Sequence, residues 1–365
     1  MPTTIRAAVA HRGETEFSVE SLDLRDPGPR DVVVEMAASA FCYSDWLALR
    51  GDTGLPALDL YPVVLGHAAV GTVVARGSEA KHRIGQRVLV TATPECGTCF
   101  WCRSGRIDQC EQLFVEAPVI GHLGDGREVR APGASATYAE LAVIRDIQVF
   151  ATDSDLPDSW LAMFGCGVIS GMGAVVNVAQ ISPGSSVVVV GCGQVGLWMI
   201  QAARMLGAER ILAVEHLASR RDLAARVGAT HVLDPAAGDL RDSVLSLTHG
   251  RGADFGFDAG GSIDSVRQAF ELTRLGGVVT VTSYVTRESR VDFPLFDLAL
   301  RGRDVRSSQS GRLDMSRDMA RFLPMLESGH IDVPAMIGAV RPLENIGDAL
   351  AAARDRAEVT PIVTR

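Results

Sequence analysis

The chain has 365 residues, 47% hydrophobic and 22% charged, enough for two cored domains and too apolar for an unstructured polymer. Its formal net charge of -9 argues against binding to a nucleic-acid backbone as the main activity. Seven cysteines, with no basic and then apolar leader at the start, point to metal or thiol chemistry in the cytoplasm and away from a disulfide framework.

The first ~160 residues read as short strands broken by turns. Residues 32–36 and 71–75 are strand-like, and 26–29 and 76–78 carry turn chemistry. The stretch "VVLGHAAVG" sets His67 at a strand end, where a lone histidine reads most simply as a packed ring. Next comes "CGTCFWCRSGRIDQC", in which Cys96, Cys99, Cys102 and Cys110 are spaced C-x2-C-x2-C-x7-C. Four thiolates close a tetrahedral zinc and leave no position for water, so this site is structural. An iron–sulfur cluster is the competing occupant, because the spacing overlaps ferredoxin patterns.

The middle of the chain changes character. Residues 185–191 form a continuous apolar strand, 194–206 an apolar helix, 210–215 a second strand and 220–227 a second helix, with strands again at 255–258 and 277–283. Strand alternating with helix requires crossovers and predicts a doubly wound parallel sheet. The most apolar run, 187–206, is interrupted by Gly191, Gly193, Gln194, Gly196, Gln201 and Arg204, which suits a buried strand and helix better than a membrane span. After residue 305 there is one helical segment, 317–327, and a mixed tail. The expected layout is a Rossmann domain, 168–305, inserted in a β-rich domain formed by 1–167 and 306–365.

The strand–helix junction carries Gly191, Gly193 and Gly196 in a G-x-G-x-x-G loop, with Gln194 and Val195 opening the helix. The glycines allow the turn, the approach of a pyrophosphate and the packing of helix on strand, while the helix N-terminus offers free N–H groups. Glu215 closes the next strand, where an acid would bond adenosine ribose hydroxyls and repel a 2′-phosphate. NAD(H) is therefore expected over NADP(H), a preference tempered by Arg220 and Arg221. Two further thiols, Cys42 in "FCYSDW" and Cys166 in "FGCGVISGMG", combine with His67 into a Cys2His set with an open fourth position, the pattern of a catalytic zinc.

With these motifs in that order, the chain resembles a zinc-containing medium-chain dehydrogenase/reductase of the alcohol dehydrogenase type over essentially its whole length. The resemblance implies a GroES-like catalytic domain with a structural-zinc lobe, two zinc ions per chain, and assembly as a homodimer or homotetramer. It implies that Cys42, His67 and Cys166 bind the catalytic zinc, that Ser44 contacts the substrate oxygen, and that Asp45 bonds the far nitrogen of His67. Ser170, Ser283 and Tyr284 would lie by the nicotinamide and Arg220 by the adenosine ribose. The implied reaction interconverts a small-molecule alcohol with an aldehyde or ketone by hydride transfer, with neither nucleic acid nor membrane as partner.

The departures are Ala68 for the usual glutamate after the zinc histidine, Leu47 for a relay histidine, and Tyr43 and Thr360 for basic pyrophosphate contacts. Ala92 and Ala131 stand where bulky aromatic walls are common. Together with the apolar loop 112–121, they predict a roomy site for a bulky apolar substrate. Reduction of an activated C=C or C=N bond is the alternative on the same fold, and a non-catalytic dinucleotide-binding protein the alternative from another class.

Overall fold

The computed structural model describes residues 3–51, 60–91, 95–112, 115, 117–283, 286 and 288–365. Ala92, Tyr284 and residues 113, 114 and 116 of the apolar loop lie outside the described residues. The chain divides into two compact units, Met1–Cys166 with Ile337–Arg365, and Gly167–Met336.

In the first unit, Thr3–Ala10, Phe17–Leu24, Val119–Leu123, Glu128–Arg130 and Val63–Val64 close a small barrel. Closure removes sheet edges, and Val9, Leu22, Val63, Val64 and Val129 of these strands are all wholly buried. A second sheet is built around the long strand Asp31–Ala40, paired with Ala69–Arg76 on one side and with Leu141–Arg145 and the terminal strand Ile362–Thr364 on the other. The antiparallel pairing of Ile362 with Ala40 returns the end of the chain to its first domain, and places it two residues from Cys42.

The second unit is a six-stranded parallel sheet in the order His231–Leu233, Arg210–Val214, Ser186–Val190, Ala253–Asp258, Thr273–Val281, Asp304–Ser307. Numbered within the unit this is 3-2-1-4-5-6, the Rossmann order, whose direction reverses beside Ser186–Val190. That strand reads as unbroken valine because helices cover both faces of a doubly wound sheet. Val187, Val188 and Val189 are wholly buried.

The unit ends at Met336, not at the expected residue 305. Asp304–Ser307 is the sixth strand, in register with Val278–Val281. The helix Met315–Glu327 then buries Met315, Phe322 and Leu326, and its Asp318 accepts from Asn177 Nδ2 at 3.2 Å. The tail, expected to be short and mixed, also contains the helix Ile346–Arg354. Among the described residues one helical segment, Asp158–Ala179, is long and apolar enough to cross a membrane, but 78% of its most apolar window is buried in the protein, as in a core helix.

Candidate active site and metal centres

Three elements of the first unit bring Cys42, His67 and Cys166 together. Cys42 follows the long strand and caps the helix Tyr43–Leu49. His67 lies in the link between Val63–Val64 and Ala69–Arg76. Cys166 sits in a π-helical turn, Phe164–Val168, and such wide turns are frequent at functional sites. One donor atom from each lies within 4.8 Å of the other two, and the Cys42 and Cys166 sulfurs are 3.9 Å apart. Two Zn–S bonds of about 2.3 Å at a tetrahedral angle would put the sulfurs about 3.8 Å apart, so the trio fits zinc.

Close backbone approach makes this convergence possible. Gly66 has φ +86°, and a Cβ there would lie 2.8 Å from the Tyr138 ring. A Cβ on Gly165 would overlap the Val90 carbonyl oxygen and come 3.2 Å from Ala68 Cα. Ala68 is wholly buried, so the position beside the histidine holds a methyl group where an acid would need a pocket.

Asp45 links these parts. It is 4% exposed, and its Oδ1 lies 3.3 Å from His67 Nδ1 while Oδ2 accepts from the Cys42 N–H at 3.2 Å and the Tyr138 hydroxyl at 2.7 Å. A carboxylate on Nδ1 fixes the tautomer and leaves Nε2 as the ligand nitrogen. Burial opposes a charged imidazole, but Asp45 and the Cys42 sulfur outweigh it and hold the His67 pKa well above its ordinary value. The hydrogen bond from Cys166, aided by His67, holds the Cys42 thiol well below its usual range despite burial. Thiolate character at this position is what a metal ligand requires.

Ser44 is half-buried on the first turn of the same helix, and Leu47 is half-buried one turn later. Tyr43 is exposed, with the Arg356 guanidinium over its ring, 5.9 Å from the centroid. Thr360 and Ala131 are wholly buried.

The second cluster assembles locally. The donor atoms of Cys96, Cys99, Cys102 and Cys110 also lie within 4.8 Å of one another. Backbone N–H groups point at the sulfurs: Cys99 N to Cys96 at 3.3 Å, Cys102 N to Cys99 at 3.5 Å, and Cys96 N to Cys110 at 3.3 Å. Thr98 holds the Cys96 thiol down to about 6, whereas burial pushes Cys102 up to about 12. Four thiolates this close need a cation to coexist, and S4 donors select zinc or iron. Cys99→Ser should cost one metal ion per chain and lower the melting temperature by several degrees, while the protein that stays folded keeps its kcat; metal analysis with thermal unfolding checks this.

In the second unit, Gly191 has φ +97°, and a Cβ there would lie 2.7 Å from the Ala259 carbonyl. A Cβ on Gly196 would overlap the Gly191 carbonyl oxygen, whereas one on Gly193 meets nothing within 4 Å. That opening faces the start of the helix Gln194–Met205, whose cap residue Gly193 has no side chain to satisfy the first N–H groups. The loop therefore fits a pyrophosphate. Glu215 follows the strand Arg210–Val214, and its two oxygens accept from Cys192 N at 2.8 Å and Leu217 N at 2.9 Å. It thus ties the glycine loop to the next crossover, a contact not expected from the sequence. Arg221 donates to the Glu215 and His216 carbonyls and pairs with Asp234, while Arg220 is buried. Burial and Glu215 push the Cys192 thiol far up, leaving it a neutral packing group.

Ser170 is half-buried in the helix Ile169–Gly173. The Ser283 N–H donates to Asp258 Oδ2 at 2.9 Å, and its buried hydroxyl has no partner among the described residues. Ser283 stands just past Thr273–Val281, so the expected strand ends two residues early. Two residues escaped the sequence reading. Tyr138, wholly buried, donates to Asp45 Oδ2, and Asp258, also wholly buried, accepts from Ser265 Oγ at 2.6 Å. An acid ending an apolar strand just before "AGG" was the available signal for the second.

Residues 28–154 match the alcohol dehydrogenase GroES-like domain, and residues 195–328 match the zinc-binding dehydrogenase domain. A probable S-(hydroxymethyl)glutathione dehydrogenase 1 of Schizosaccharomyces pombe is 32% identical, covering 95% of this chain and 93% of the relative. Geraniol dehydrogenase of Castellaniella defragrans is 30% identical over 98% of this chain and 97% of its own. The crystal structure of benzyl alcohol dehydrogenase from Acinetobacter calcoaceticus superposes with a TM-score of 0.90 at 25% identity, covering 99% of each chain.

Proposed function

The chain belongs to the zinc-containing medium-chain dehydrogenases of the alcohol dehydrogenase type, and from that premise we propose that it oxidises a bulky apolar alcohol, or reduces its carbonyl product, with NAD(H). It is a zinc-dependent oxidoreductase that uses a dinucleotide; the cofactor preference, substrate and residue roles are the proposal. The observation that carries it is the convergence of Cys42, His67 and Cys166 with Asp45 behind the histidine.

When bound, zinc would supply Lewis acidity at the substrate oxygen, and a nicotinamide would supply a hydride acceptor or donor for the carbon bearing it. Cys42, His67 and Cys166 hold that metal, and Asp45 keeps the His67 ring oriented. Ser44 accepts the substrate proton on its hydroxyl and passes it on; with Leu47 one turn later, a water or a ribose hydroxyl must continue the path. Gly191, Gly193, Gly196 and the N–H groups of Gln194 and Val195 would hold the pyrophosphate, and Ser170 and Ser283 would lie by the nicotinamide. Cys96, Cys99, Cys102 and Cys110 hold a structural zinc.

Relatives named for geraniol and benzyl alcohol, and the small buried Ala131, support an apolar substrate. A screen of alcohols graded in chain length and aromaticity, with S-(hydroxymethyl)glutathione included and NADH absorbance followed, tests the reading. Selective turnover of two- or three-carbon alcohols, or of the glutathione adduct alone, would reject it.

Glu215 supports NAD(H), because a carboxylate bonded to the glycine loop repels a 2′-phosphate. Glu215→Ala should raise relative NADP(H) efficiency about tenfold and weaken NAD(H) binding, as measured by kcat/KM with each cofactor. An unchanged ratio would remove Glu215 from cofactor choice.

We also place the protein in the cytoplasm as a homo-oligomer. None of its seven cysteines is paired in a disulfide, which suits a reducing compartment. Leu295, Phe296 and Leu300 are exposed beside the end strand Asp304–Ser307, an apolar surface with an open edge that suits a second copy. Sedimentation velocity distinguishes monomer, dimer and tetramer.

A further inference from the structure

We propose that Tyr138 is a positioning residue for the Cys42–His67–Cys166 centre, acting through the Asp45 carboxylate. The inference rests on reading that trio as a zinc site. Asp45 receives three donors, and the 2.7 Å bond from Tyr138 is shorter than those from Cys42 N, at 3.2 Å, and His67 Nδ1, at 3.3 Å. A carboxylate turns easily about its terminal torsion, so a buried one points wherever its strongest donor fixes it. Fixing Oδ2 on Tyr138 aims Oδ1 at His67, since the two oxygens are rigidly joined.

Tyr138 is itself held on both sides. Its wholly buried ring stacks on Phe41, with centroids 5.4 Å apart and planes 10° apart, and meets Phe17 edge-on at 5.9 Å. Phe41 is the chain neighbour of Cys42. On the other side the Tyr138 N–H donates to the Leu65 carbonyl at 3.2 Å, and its ring fills the space that a side chain on Gly66 would take. One residue therefore references both the segment leading into Cys42 and the segment leading into His67. Phenylalanine would keep the packing and lose the pin, which separates the hydroxyl from the ring. With Ala68 beside the histidine, the adjacent position supplies no carboxylate to share the task.

The test is zinc release from the whole protein into an excess of a chromogenic chelator. Tyr138→Phe should speed release of one of two zinc ions about tenfold, leave release from the Cys96–Cys110 lobe unchanged, and shift the visible absorption of the cobalt-substituted protein. In an Asp45→Ala background the same exchange should alter release by less than about twofold, because the route runs through Asp45. Release and cobalt spectrum identical to those of the parent protein would overturn the inference, as would a full tenfold effect without Asp45. Should Asp45→Ala fail to fold, the cobalt spectrum of Tyr138→Phe decides alone. A protein whose zinc content is unchanged by Cys42→Ala would overturn the zinc reading itself, and the inference with it.

Discussion

His67→Ala is expected to lower kcat/KM at least about a thousandfold while leaving dinucleotide binding within a few-fold of the parent. Lewis-acid stabilisation of charge on the substrate oxygen contributes several kcal/mol, and about 4 kcal/mol corresponds to a factor of a thousand in rate. The size of the effect depends on what could replace the lost nitrogen. Among the described residues the cluster has three donors, and the neighbouring position is the buried Ala68. Two sulfurs 3.9 Å apart would then have to hold the ion with water alone. The glycine loop belongs to the other compact unit, so cofactor affinity should survive. Steady-state kinetics, metal content and NADH fluorescence measured on one preparation check all three points. Retention of a tenth of the activity would show that His67 is a packed ring after all.

How far the site could be read in advance depended on how local each contact is. The four sulfurs of the lobe span fifteen residues, and their spacing alone declares a metal. Cys42 and Cys166 lie 124 positions apart, and only the ordered series of motifs joined them before the fold did. The Rossmann unit was legible because a doubly wound sheet needs an unbroken apolar strand at its centre, followed at once by small residues at the turn. Its end was not. Asp304–Ser307 carries Asp304 and Arg306 on an end strand, where alternation with solvent erases the apolar signal, so the boundary expected at 305 cuts through the sixth strand. The π-helical turn at Cys166 has no sequence signature. Tyr138 was hidden for a different reason: an aromatic in an apolar stretch announces packing, and its hydroxyl partner is 93 positions away. Glu215 was recognised as an acid at the right strand end, but the backbone groups it accepts from depend on the loop's path.

The glycine loop gives the other large expected effect, a separation of cofactor binding from stability by two similar substitutions. Gly193→Ala should leave the melting temperature within about two degrees of the parent, yet weaken NADH binding by tenfold to a hundredfold. Gly193 has φ −74°, which alanine adopts freely, and its added methyl would meet no atom of the described residues within 4 Å. Alanine is a poorer helix cap by up to about 1 kcal/mol, but it also restricts the unfolded chain by about 0.4–1 kcal/mol, so the two effects nearly cancel. The methyl instead occupies the space through which a pyrophosphate would reach the N–H groups of the helix. Gly196→Ala should do the opposite. Its methyl would overlap the Gly191 carbonyl oxygen and come 3.3 Å from Ala259 Cβ, so helix and strand must separate before any ligand arrives. Overpacking of that kind costs about 1–3 kcal/mol and should lower the melting temperature by several degrees. Calorimetric unfolding and NADH titration of both variants give four numbers, and only one arrangement of them is compatible with the loop as a cradle. If Gly193→Ala bound NADH like the parent, the open space beside Gly193 would not be where the phosphates lie.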